Sequence, residues 1–352
     1  MLAALTVASS LAWLRLPTLN SPQQVSLYTS DVCLGHDPGG AHPEKPARLS
    51  YLLKALREEW VPAYGDLLRV CDPSSADATD EQLSRVHSAK HIDKVSAAFT
   101  SLQVRCGMRY NLDSDTIVSP GTQAAAKRAA GLVVAAVDDV FKAGGSAAFP
   151  ALEAPARRAF VMARPPGHHA EADAAMGFCL YNNVLVGVAH AEAVHGASKV
   201  AIIDFDVHHG NGDADIAAAT PKRLYVSSHE TPSFPGTGET AGRSGLFRNV
   251  MSAPLPAQSG SDEFRRAWRQ MLLPAVRNFR PDAIFISAGF DAHTEDPLSS
   301  TRLEDSDFEW LTREIVRIGG GRVPIVSVLE GGYNVERLPV SVRNHLDALI
   351  YS

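Results

Sequence analysis

The sequence has few cysteines, no excess of basic residues and no long apolar run beyond its first residues. Its four cysteines include no C-x-x-C pair, which favours reduced thiols over a disulfide framework. Lysine and arginine total 33 against 39 aspartates and glutamates, a formal net charge of −6, which argues against a chain-wide nucleic-acid interface. No repeat or low-complexity linker divides the 352 residues, so we predict one domain.

The N-terminus differs in composition from the rest of the chain. Residues 1–30 contain no Asp or Glu and a single arginine, Arg15, and the apolar run from Met1 to Leu16 is too short to span a bilayer comfortably. We expect residues 1–24 to be a targeting segment or a disordered tail, and residues 25–352 to fold. A targeting segment would send the protein to a plastid or mitochondrion. Without one, the cytoplasm or nucleus is expected.

The remaining sequence alternates predicted strands and helices. This pattern is typical of an α/β domain whose mostly parallel sheet is covered by helices on both faces. The predicted strands are 24–28, 159–163, 200–206, 223–228, 283–288 and 323–329. The predicted helices are 48–59, 82–99, 121–142, 182–195, 262–278 and 306–318. Apolar residues lie almost all round the helix 121–142, which predicts that it is buried.

The segment 200–212 carries the strongest chemical signal. An apolar run that predicts a buried parallel strand is followed by Asp204, Asp206 and His208 at every second position. Alternate residues of a strand point to the same face, so these side chains should converge. Buried charges are costly unless they are paired or bind a metal, and we therefore predict a metal site. A salt-bridged pair at a strand end is the alternative.

Three other predicted strands also run directly into polar loops. Strand 159–163 precedes RPPGHHA, strand 283–288 precedes GFDAHTEDPL, and strand 323–329 precedes EGGYN. In open α/β sheets the ligand crevice lies beyond the carboxyl ends of the strands. We therefore expect these loops and the segment after strand 200–206 to meet at one site.

Seven motifs occur along the chain in a fixed order. They are HPEKPARL, RPPGHHA, GFCLYNN, DFDVHHGNG, SFPGTGE, SAGFDAHTEDPL and LEGGYN. In these motifs the chain resembles the histone deacetylase superfamily, which has the arginase-deacetylase fold, over roughly residues 25–350. The motifs GNG, GFDAH and LEGGYN are similar to those of the class II branch and its bacterial and plastid relatives. Arg48 matches an arginine of that family's internal channel, with an ordinary arginine at a helix start as the alternative.

The resemblance implies one zinc ion held by Asp206, His208 and Asp291. Three protein ligands with an open fourth position are typical of catalytic zinc, and a carboxylate-rich set would also suit Fe²⁺. Such a metal acidifies bound water and polarises a carbonyl group. For Asp291 taken alone, a turn or helix cap is the alternative. The resemblance also implies a potassium site at Ser227, together with backbone oxygens that include that of Asp204.

The resemblance further implies that His168 and His169 transfer protons. Asp204 should bond to His168 and Asn211 to His169, and a carboxylate raises the pKa of a histidine more than an amide does. We therefore expect a neutral His169 to act as general base, and a protonated His168 to act electrostatically. Adjacent core histidines are the alternative. Tyr333 is implied as the hydrogen-bond donor to the oxyanion, with core packing as the alternative.

The same resemblance implies a substrate tunnel. Phe178 and Phe234 would form its walls and suit an aliphatic lysine stem, while the carbonyl of Gly177 would accept the amide N–H. Taken without their motifs, these aromatic residues would be assigned to the core. Leu298 occupies a position where the polyamine-specific branch has an acidic residue, which argues against a polycationic substrate. Asp115, or the aspartate two residues before it, should clamp the substrate at the rim, unless it is a solvated loop charge.

The predicted activity is the hydrolysis of the acetyl amide of N-acetyl-lysine in histone or non-histone proteins. Water is the nucleophile, and no covalent enzyme intermediate forms. A deacetylase of small N-acetylated metabolites is the first alternative, and a non-catalytic scaffold that binds acetylated partners is the second. A second set of metal ligands, as in ureohydrolases, is not visible, and the P-C-x-x-C element of base deaminases is absent. No direct nucleic-acid or membrane partner is expected, and the oligomeric state stays open.

Overall fold

The computed structural model of the protein describes residues 22–100, 108–142 and 158–352. These residues contain one large sheet and a two-stranded ribbon. The ribbon strands are β3 (Tyr110–Asn111) and β4 (Ile117–Val118). The strands of the large sheet are β1 (Val25–Tyr28), β2 (Leu68–Cys71), β5 (Arg158–Val161), β6 (Val200–Asp204), β7 (Arg223–Thr231), β8 (Gly242–Ser244), β9 (Val250–Pro256), β10 (Ala283–Ala288) and β11 (Ile325–Leu329).

The large sheet has nine strands among the described residues, in the order β2-β1-β5-β11-β10-β6-β7-β9-β8. All neighbouring strands are parallel except the edge pair β8 and β9. Because the central strands are buried on both faces, they are apolar along almost their whole length. Their carboxyl ends lie at one edge of the sheet, and the loops that follow them build the site. The predicted single α/β domain with a mostly parallel sheet is confirmed.

Helices cover both faces of the sheet. The helices are α1 (Ala47–Ala55), α2 (Val61–Tyr64), α3 (Asp80–Ser84), α4 (Ala89–Thr100), α5 (Thr122–Lys142), α6 (Asn183–His195), α7 (Asn211–Ala218), α8 (Ser261–Ala267), α9 (Leu273–Phe279), α10 (Asp305–Gly319) and α11 (Leu338–Tyr351). A Cβ at Gly187 of α6 would lie 3.1 Å from Phe285, and one at Gly319 of α10 would lie 4.0 Å from Ile284. Since consecutive strand residues point to opposite faces, α6 and α10 lie on opposite sides of β10. As predicted, α5 is largely buried.

The predicted strand 200–206 ends two residues early, at Asp204. The Oδ1 atom of Asp204 accepts the backbone N–H of Asp206 at 3.0 Å, and Oδ1 of Asp206 accepts that of His208 at 2.9 Å. These side-chain bonds take the backbone amides away from the sheet. Asp206 and His208 thus reach the site from a loop, and the prediction that strand alternation aligns all three residues was wrong.

Two predicted helices are interrupted. The predicted helix 82–99 is divided into α3 and α4, because the backbone N–H of Ser88 donates to the carbonyl oxygen of Ala172 at 2.9 Å and leaves the helical pattern. The predicted helix 262–278 consists of α8 and α9, which are joined by a π-helical turn, Trp268–Leu272. A similar turn, Leu56–Trp60, extends α1 into α2.

Several elements were not predicted from the sequence, among them β2, β9, α7 and α11. Pro254 and Pro256 lie within β9, and prolines argue against a strand. In α11 the proline is Pro339, which occupies the first turn, where the missing N–H costs no hydrogen bond.

The prediction for residues 1–24 falls mainly on residues 1–21, which lie outside the described residues. Within the described ranges, no helix combines the length and apolar character needed to cross a membrane. Cys33, Cys71 and Cys179 are free thiols, in agreement with the prediction of reduced cysteines.

Candidate functional site

The loops after β5, β6, β10 and β11 meet at the carboxyl edge of the sheet. The backbone N–H of Gly331 donates to Oδ2 of Asp206 at 2.8 Å, and that of Val207 donates to Oδ1 of Asp291 at 2.9 Å. His168, in the loop after β5, brings its Nε2 atom to 3.7 Å from Oδ2 of Asp206. The expectation that these loops meet is confirmed.

Asp206, His208 and Asp291 form a buried group of potential metal ligands. One donor atom from each side chain lies within 4.8 Å of the others. Nδ1 of His208 lies 3.1 Å from Oδ1 of Asp206 and 3.2 Å from Oδ2 of Asp291. Burial disfavours protonated His208, but its bonds to both carboxylates raise its pKa to about 10. Two buried carboxylates thus favour a positive charge between them, which is the electrostatic condition for cation binding.

Two glycines allow the backbone to approach these carboxylates closely. A Cβ atom at Gly331 would lie 2.0 Å from Oδ2 of Asp291, and one at Gly289 would lie 2.0 Å from Oδ2 of Asp206. Both distances are far below van der Waals contact. Glycine is therefore required at both positions because a side chain would displace the donor oxygens.

His168 lies among carboxylates. Its Nδ1 atom is 3.3 Å from Oδ2 of Asp204, the partner that the family resemblance implies, and that oxygen also accepts the hydroxyl of Tyr225 at 2.8 Å. Oε2 of Glu330 accepts the backbone N–H of His168 at 3.1 Å. Burial opposes protonation of His168, but the charges of Asp206 and Asp204 raise its pKa well above the usual value. The imidazolium form is therefore favoured.

His169 has the opposite electrostatic environment. Its Nδ1 atom bonds to Oδ1 of Asn211 at 2.9 Å, as predicted. Burial, followed by the positive charges of His168 and His208, holds its pKa well below the usual value. The two adjacent histidines, whose ring centroids are 3.9 Å apart, thus differ in their favoured protonation state.

Tyr333 is held by contacts to its backbone and its ring. Oδ2 of Asp296 accepts the backbone N–H of Tyr333 at 2.6 Å, and the guanidinium of Arg48 lies 4.8 Å from the ring centroid. Arg48 also donates to the backbone oxygens of Gly332 and Glu330, and so supports the loop that presents the tyrosine. Burial raises the pKa of Tyr333 well above its usual value; the charge of Arg48 opposes this rise and the nearby carboxylates add to it, so the phenol remains a hydrogen-bond donor.

Aromatic rings surround the tandem histidines and Tyr333. Phe234 packs edge-on against His169 with a centroid distance of 5.0 Å, and Phe178 packs edge-on against Tyr333 at 5.9 Å. At Gly177, φ is 58°, and a Cβ atom would lie 2.5 Å from His169 and 2.9 Å from Phe234. The three residues that the resemblance assigns to the tunnel therefore lie at the site.

The peripheral residues predicted from the sequence have defined contacts. Oδ1 of Asp115 accepts the backbone N–H of Gly177 at 3.2 Å, so this carboxylate supports the tunnel backbone. Leu298 is 37% exposed, and its backbone N–H donates to Asp296 at 2.9 Å. Ser227 pairs with Asp204 across β6 and β7, and its hydroxyl lies 2.9 Å from Nδ1 of a neighbouring histidine.

Several residues that build the site were not identified from the sequence. They are Tyr225, Glu330 and Asp296, together with Glu171, whose Oε1 atom accepts the side-chain N–H of Asn211 at 2.7 Å. Burial raises the pKa of Glu330 to about 8, with the charge of His168 opposing the rise. Three of the four lie in motifs or directly beside one, but Tyr225 is indistinguishable in sequence from other strand aromatics.

A second group with similar side chains lies between α5 and α6. Its members are Asp138, His190 and His195, whose donor atoms also lie within 4.8 Å of one another. Nε2 of His190 and Nε2 of His195 contact the same oxygen, Oδ1 of Asp138, at 3.0 and 2.7 Å. This group joins two helices.

The chain is similar to proteins of one family. The family model that describes the histone deacetylase domain matches residues 42–349. Histone deacetylase 14, chloroplastic, of Arabidopsis thaliana is 33% identical over 347 residues, which cover 95% of this chain and 79% of that protein. The histone deacetylase-like amidohydrolase of Pseudomonas aeruginosa is 32% identical over 340 residues, which cover 90% and 83%.

A solved structure has the same architecture. The crystal structure of the HDA15 HD domain matches with a TM-score of 0.80 and 29% identity, over 93% of this chain and 88% of that chain. The similarity thus extends over most of the chain and is not confined to the motifs. The chain belongs to the histone deacetylase family, with a class II-like relationship.

Proposed function

We propose that this protein is a zinc-dependent deacetylase that hydrolyses the acetyl amide of N-acetyl-lysine in histone or non-histone proteins. The observation that carries the proposal is the buried group Asp206, His208 and Asp291, with the tandem histidines close by. Family membership supports a hydrolase. In this proposal, residues 25–352 act as the catalytic domain.

The three ligands fit a divalent cation. Oδ1 of Asp291 accepts a backbone N–H, which leaves its Oδ2 atom for a metal, and Nδ1 of His208 points towards both carboxylates. Nitrogen and carboxylate donors suit Zn²⁺, and Fe²⁺ is compatible with the same set. When bound, the ion would supply Lewis-acid polarisation of a carbonyl and acidify water.

The protonation states of the two histidines support different roles. His169, with a lowered pKa, would accept a proton from the attacking water at Nε2, because its Nδ1 atom is bonded to Asn211. His168, with a raised pKa, would keep its proton and stabilise developing negative charge. The amine of the leaving lysine then receives the proton that His169 has taken up.

Tyr333 would donate its phenolic proton in a hydrogen bond to the carbonyl oxygen as that oxygen gains negative charge. A preorganised donor of this kind contributes about 3 kcal/mol to transition-state stabilisation. Its loop is held by Asp296 and Arg48, so the donor needs little reorganisation during the reaction.

The substrate stem would lie between Phe178 and Phe234, which pack against Tyr333 and His169 respectively. Two aromatic faces can bury the methylene groups of lysine and exclude water from the reacting amide. Gly177 would accept the amide N–H through its carbonyl oxygen. Leu298 supplies no charge for a polycationic substrate.

The direct test compares an acetyl-lysine peptide with a small N-acetylated arylalkylamine, using zinc-loaded enzyme. We expect faster turnover of the peptide and a loss of about a hundredfold to a thousandfold in Tyr333→Phe, which keeps the ring but removes the donor. Thermal melting of Tyr333→Phe is the folding control. Preference for the small amide would instead identify a metabolite deacetylase. Binding of the peptide without turnover of either compound would identify a scaffold.

We also propose a structural potassium ion beside Ser227. The pairing of β6 with β7 places Ser227 next to Asp204. The hydroxyl of Ser227 donates to the neighbouring histidine, so its oxygen keeps lone pairs that a cation could bind. Replacing potassium by sodium in the buffer should lower the melting temperature of wild type more than that of Ser227→Ala. Equal shifts would contradict the site.

We propose that residues 1–24 direct the protein to a plastid or mitochondrion. The absence of acidic residues from this segment supports the proposal, and one relative bears the description chloroplastic. A fluorescent protein fused to residues 1–24 should enter the organelle. Diffuse fluorescence in the cytoplasm and nucleus would contradict it.

A further inference from the structure

Glu171 lies at the end of a hydrogen-bond chain that begins at His169. Nδ1 of His169 is 2.9 Å from Oδ1 of Asn211, and Nδ2 of Asn211 is 2.7 Å from Oε1 of Glu171. The backbone of Glu171 is itself fixed: its N–H donates to the carbonyl oxygen of Ala174 at 2.9 Å, and its carbonyl oxygen lies 3.0 Å from Nδ1 of His87. The carboxylate thus has a defined position beside the site.

The carboxylate determines which way the amide of Asn211 faces. An ionised carboxylate only accepts hydrogen bonds, so the amide must present its NH₂ group to Glu171. The backbone oxygen of His169 at 3.4 Å and the sulfur of Met176 at 3.2 Å are further acceptors on the same side. The reversed amide would place two oxygens 2.7 Å apart, without a proton between them.

The orientation of Asn211 in turn determines the tautomer of His169. Its carbonyl oxygen faces Nδ1 of His169 and can only accept, so Nδ1 must carry the proton. In the neutral ring the lone pair then lies on Nε2. Because a base can act only through its lone pair, a reversed amide would make the neutral ring inactive at that atom.

We infer that Glu171 is a positioning residue that selects the Nδ1–H tautomer of His169 through Asn211. This inference rests on the proposed function, in which His169 acts as the base through Nε2. Glu171 does not touch substrate and acts only by orienting the amide. Its carboxylate holds the tautomer by accepting a hydrogen bond, so its negative charge is secondary.

Two variants of Glu171 separate these properties. Glu171→Gln keeps a carbonyl acceptor of nearly the same shape, whereas Glu171→Leu keeps an aliphatic side chain without any hydrogen-bonding atom. We expect kcat to fall roughly tenfold in Glu171→Leu with little change in KM, and to stay within about threefold of wild type in Glu171→Gln. Equal losses in both variants, or no loss in Glu171→Leu, would overturn the inference.

Rescue by Asn211→Asp provides a second test. Aspartate presents an acceptor in either orientation, so it needs no partner to orient it. We expect the double variant Asn211→Asp with Glu171→Leu to be more active than either single variant, because Asn211→Asp alone places two carboxylates in contact. Additive losses in the double variant would contradict the model.

The nitrogen-15 chemical shifts of the imidazole ring report the tautomer directly. His169→Gln assigns the signals of His169 in zinc-loaded enzyme. Wild type and Glu171→Gln should show a protonated Nδ1, and Glu171→Leu should show a mixture. A protonated Nε2 in wild type would refute the inference even if the enzyme is active. If wild type hydrolyses no acetamide, the proposed function fails, while this spectrum still decides the tautomer.

Discussion

Two groups of histidine and aspartate side chains each bring their donor atoms within 4.8 Å of one another, yet their surroundings differ. The group Asp206, His208 and Asp291 lies at the carboxyl ends of parallel strands, and both of its carboxylates are fully buried. The group around Asp138 lies between two helices, and the side chain of Asp138 is 34% exposed. Proximity of donor atoms alone therefore does not distinguish a metal site.

Neighbouring cations explain why the second group is better described as a link between helices. The guanidinium of Arg85 donates to Nδ1 of His190 at 3.2 Å, so the neutral ring carries its proton on Nε2 and donates it to Asp138. The ammonium of Lys142 lies 3.8 Å from the other carboxylate oxygen. The lone pair of His190 thus accepts from Arg85 and is not free for a metal, and Asp138 already has a cation beside it. In the first group, the hydrogen-bond donors to the two carboxylates are backbone amides and His208, and His168 adds an ionic contact to Asp206 at 3.7 Å, so two fully buried carboxylates share these partners.

Removal of one carboxylate from each group should produce the largest contrast. We expect Asp206→Asn to lose bound metal and to reduce kcat/KM by roughly a thousandfold or more, because the proposed Lewis acid is lost. Asp138→Asn should keep its bound metal and its kcat/KM. Metal content is measured after dialysis, together with turnover of the acetyl-lysine peptide.

Chelation tests the requirement for metal without changing a ligand. Dipicolinate should abolish activity of wild type and of Asp138→Asn alike, and added zinc should restore both. Loss of bound metal in Asp138→Asn but not in Asp206→Asn would reverse the assignment of the two groups.

Replacing a glycine beside the proposed metal ligands should reduce activity nearly as much as replacing a ligand. In Gly331→Ala, the new methyl group would lie 2.0 Å from Oδ2 of Asp291 and 2.6 Å from Oδ2 of Asp206. We expect weaker metal binding and roughly a hundredfold loss of activity. Gly40→Ala is the control, because nothing lies within 4 Å of a Cβ at that position. Zinc affinity equal to wild type in Gly331→Ala would show that the carboxylates can move without consequence.

The contacts of Asp138 between the two helices should affect the stability of the fold and not the activity. Burial disfavours ionised Asp138, but hydrogen bonds from His190 and His195 lower its pKa. Because the folded-state pKa lies below the unfolded one, the ionised group stabilises the fold above about pH 4, and this contribution is lost as the pH falls through the lowered value. Asp138→Asn should therefore lower the melting temperature at pH 7 by roughly 2 °C, and by less at pH 3.

Asp80→Asn is the matched control for this measurement. Asp80 bonds to Lys127 at 2.8 Å, but its side chain is 73% exposed, so its removal should change the melting temperature little at either pH. A shift in Asp138→Asn that does not depend on pH would contradict the electrostatic origin of the link.

Local sequence was sufficient for most of the sheet, but not for its edges. The buried strands β6 and β10 are apolar runs followed by polar loops, and their positions were predicted within two residues. By contrast, β9 contains two prolines and was missed. Its pairing with β7 is decided by tertiary contacts, which override a weak propensity.

The sequence by itself determined which residues are candidates for the site. It also determined that they meet at the carboxyl edge of the large sheet, because parallel strands direct their carboxyl ends to the same side. The tertiary structure alone decided how those residues are held. The Asx turns end β6 at Asp204, Tyr225 reaches that carboxylate from a neighbouring strand, and Glu171 orients Asn211 from another loop. The tertiary structure also distinguished the two histidine–aspartate groups from each other. Arg85 is distant from His190 in sequence and is adjacent to it only after folding. These contacts depend on side-chain directions across the fold, which strand and helix periodicity do not specify.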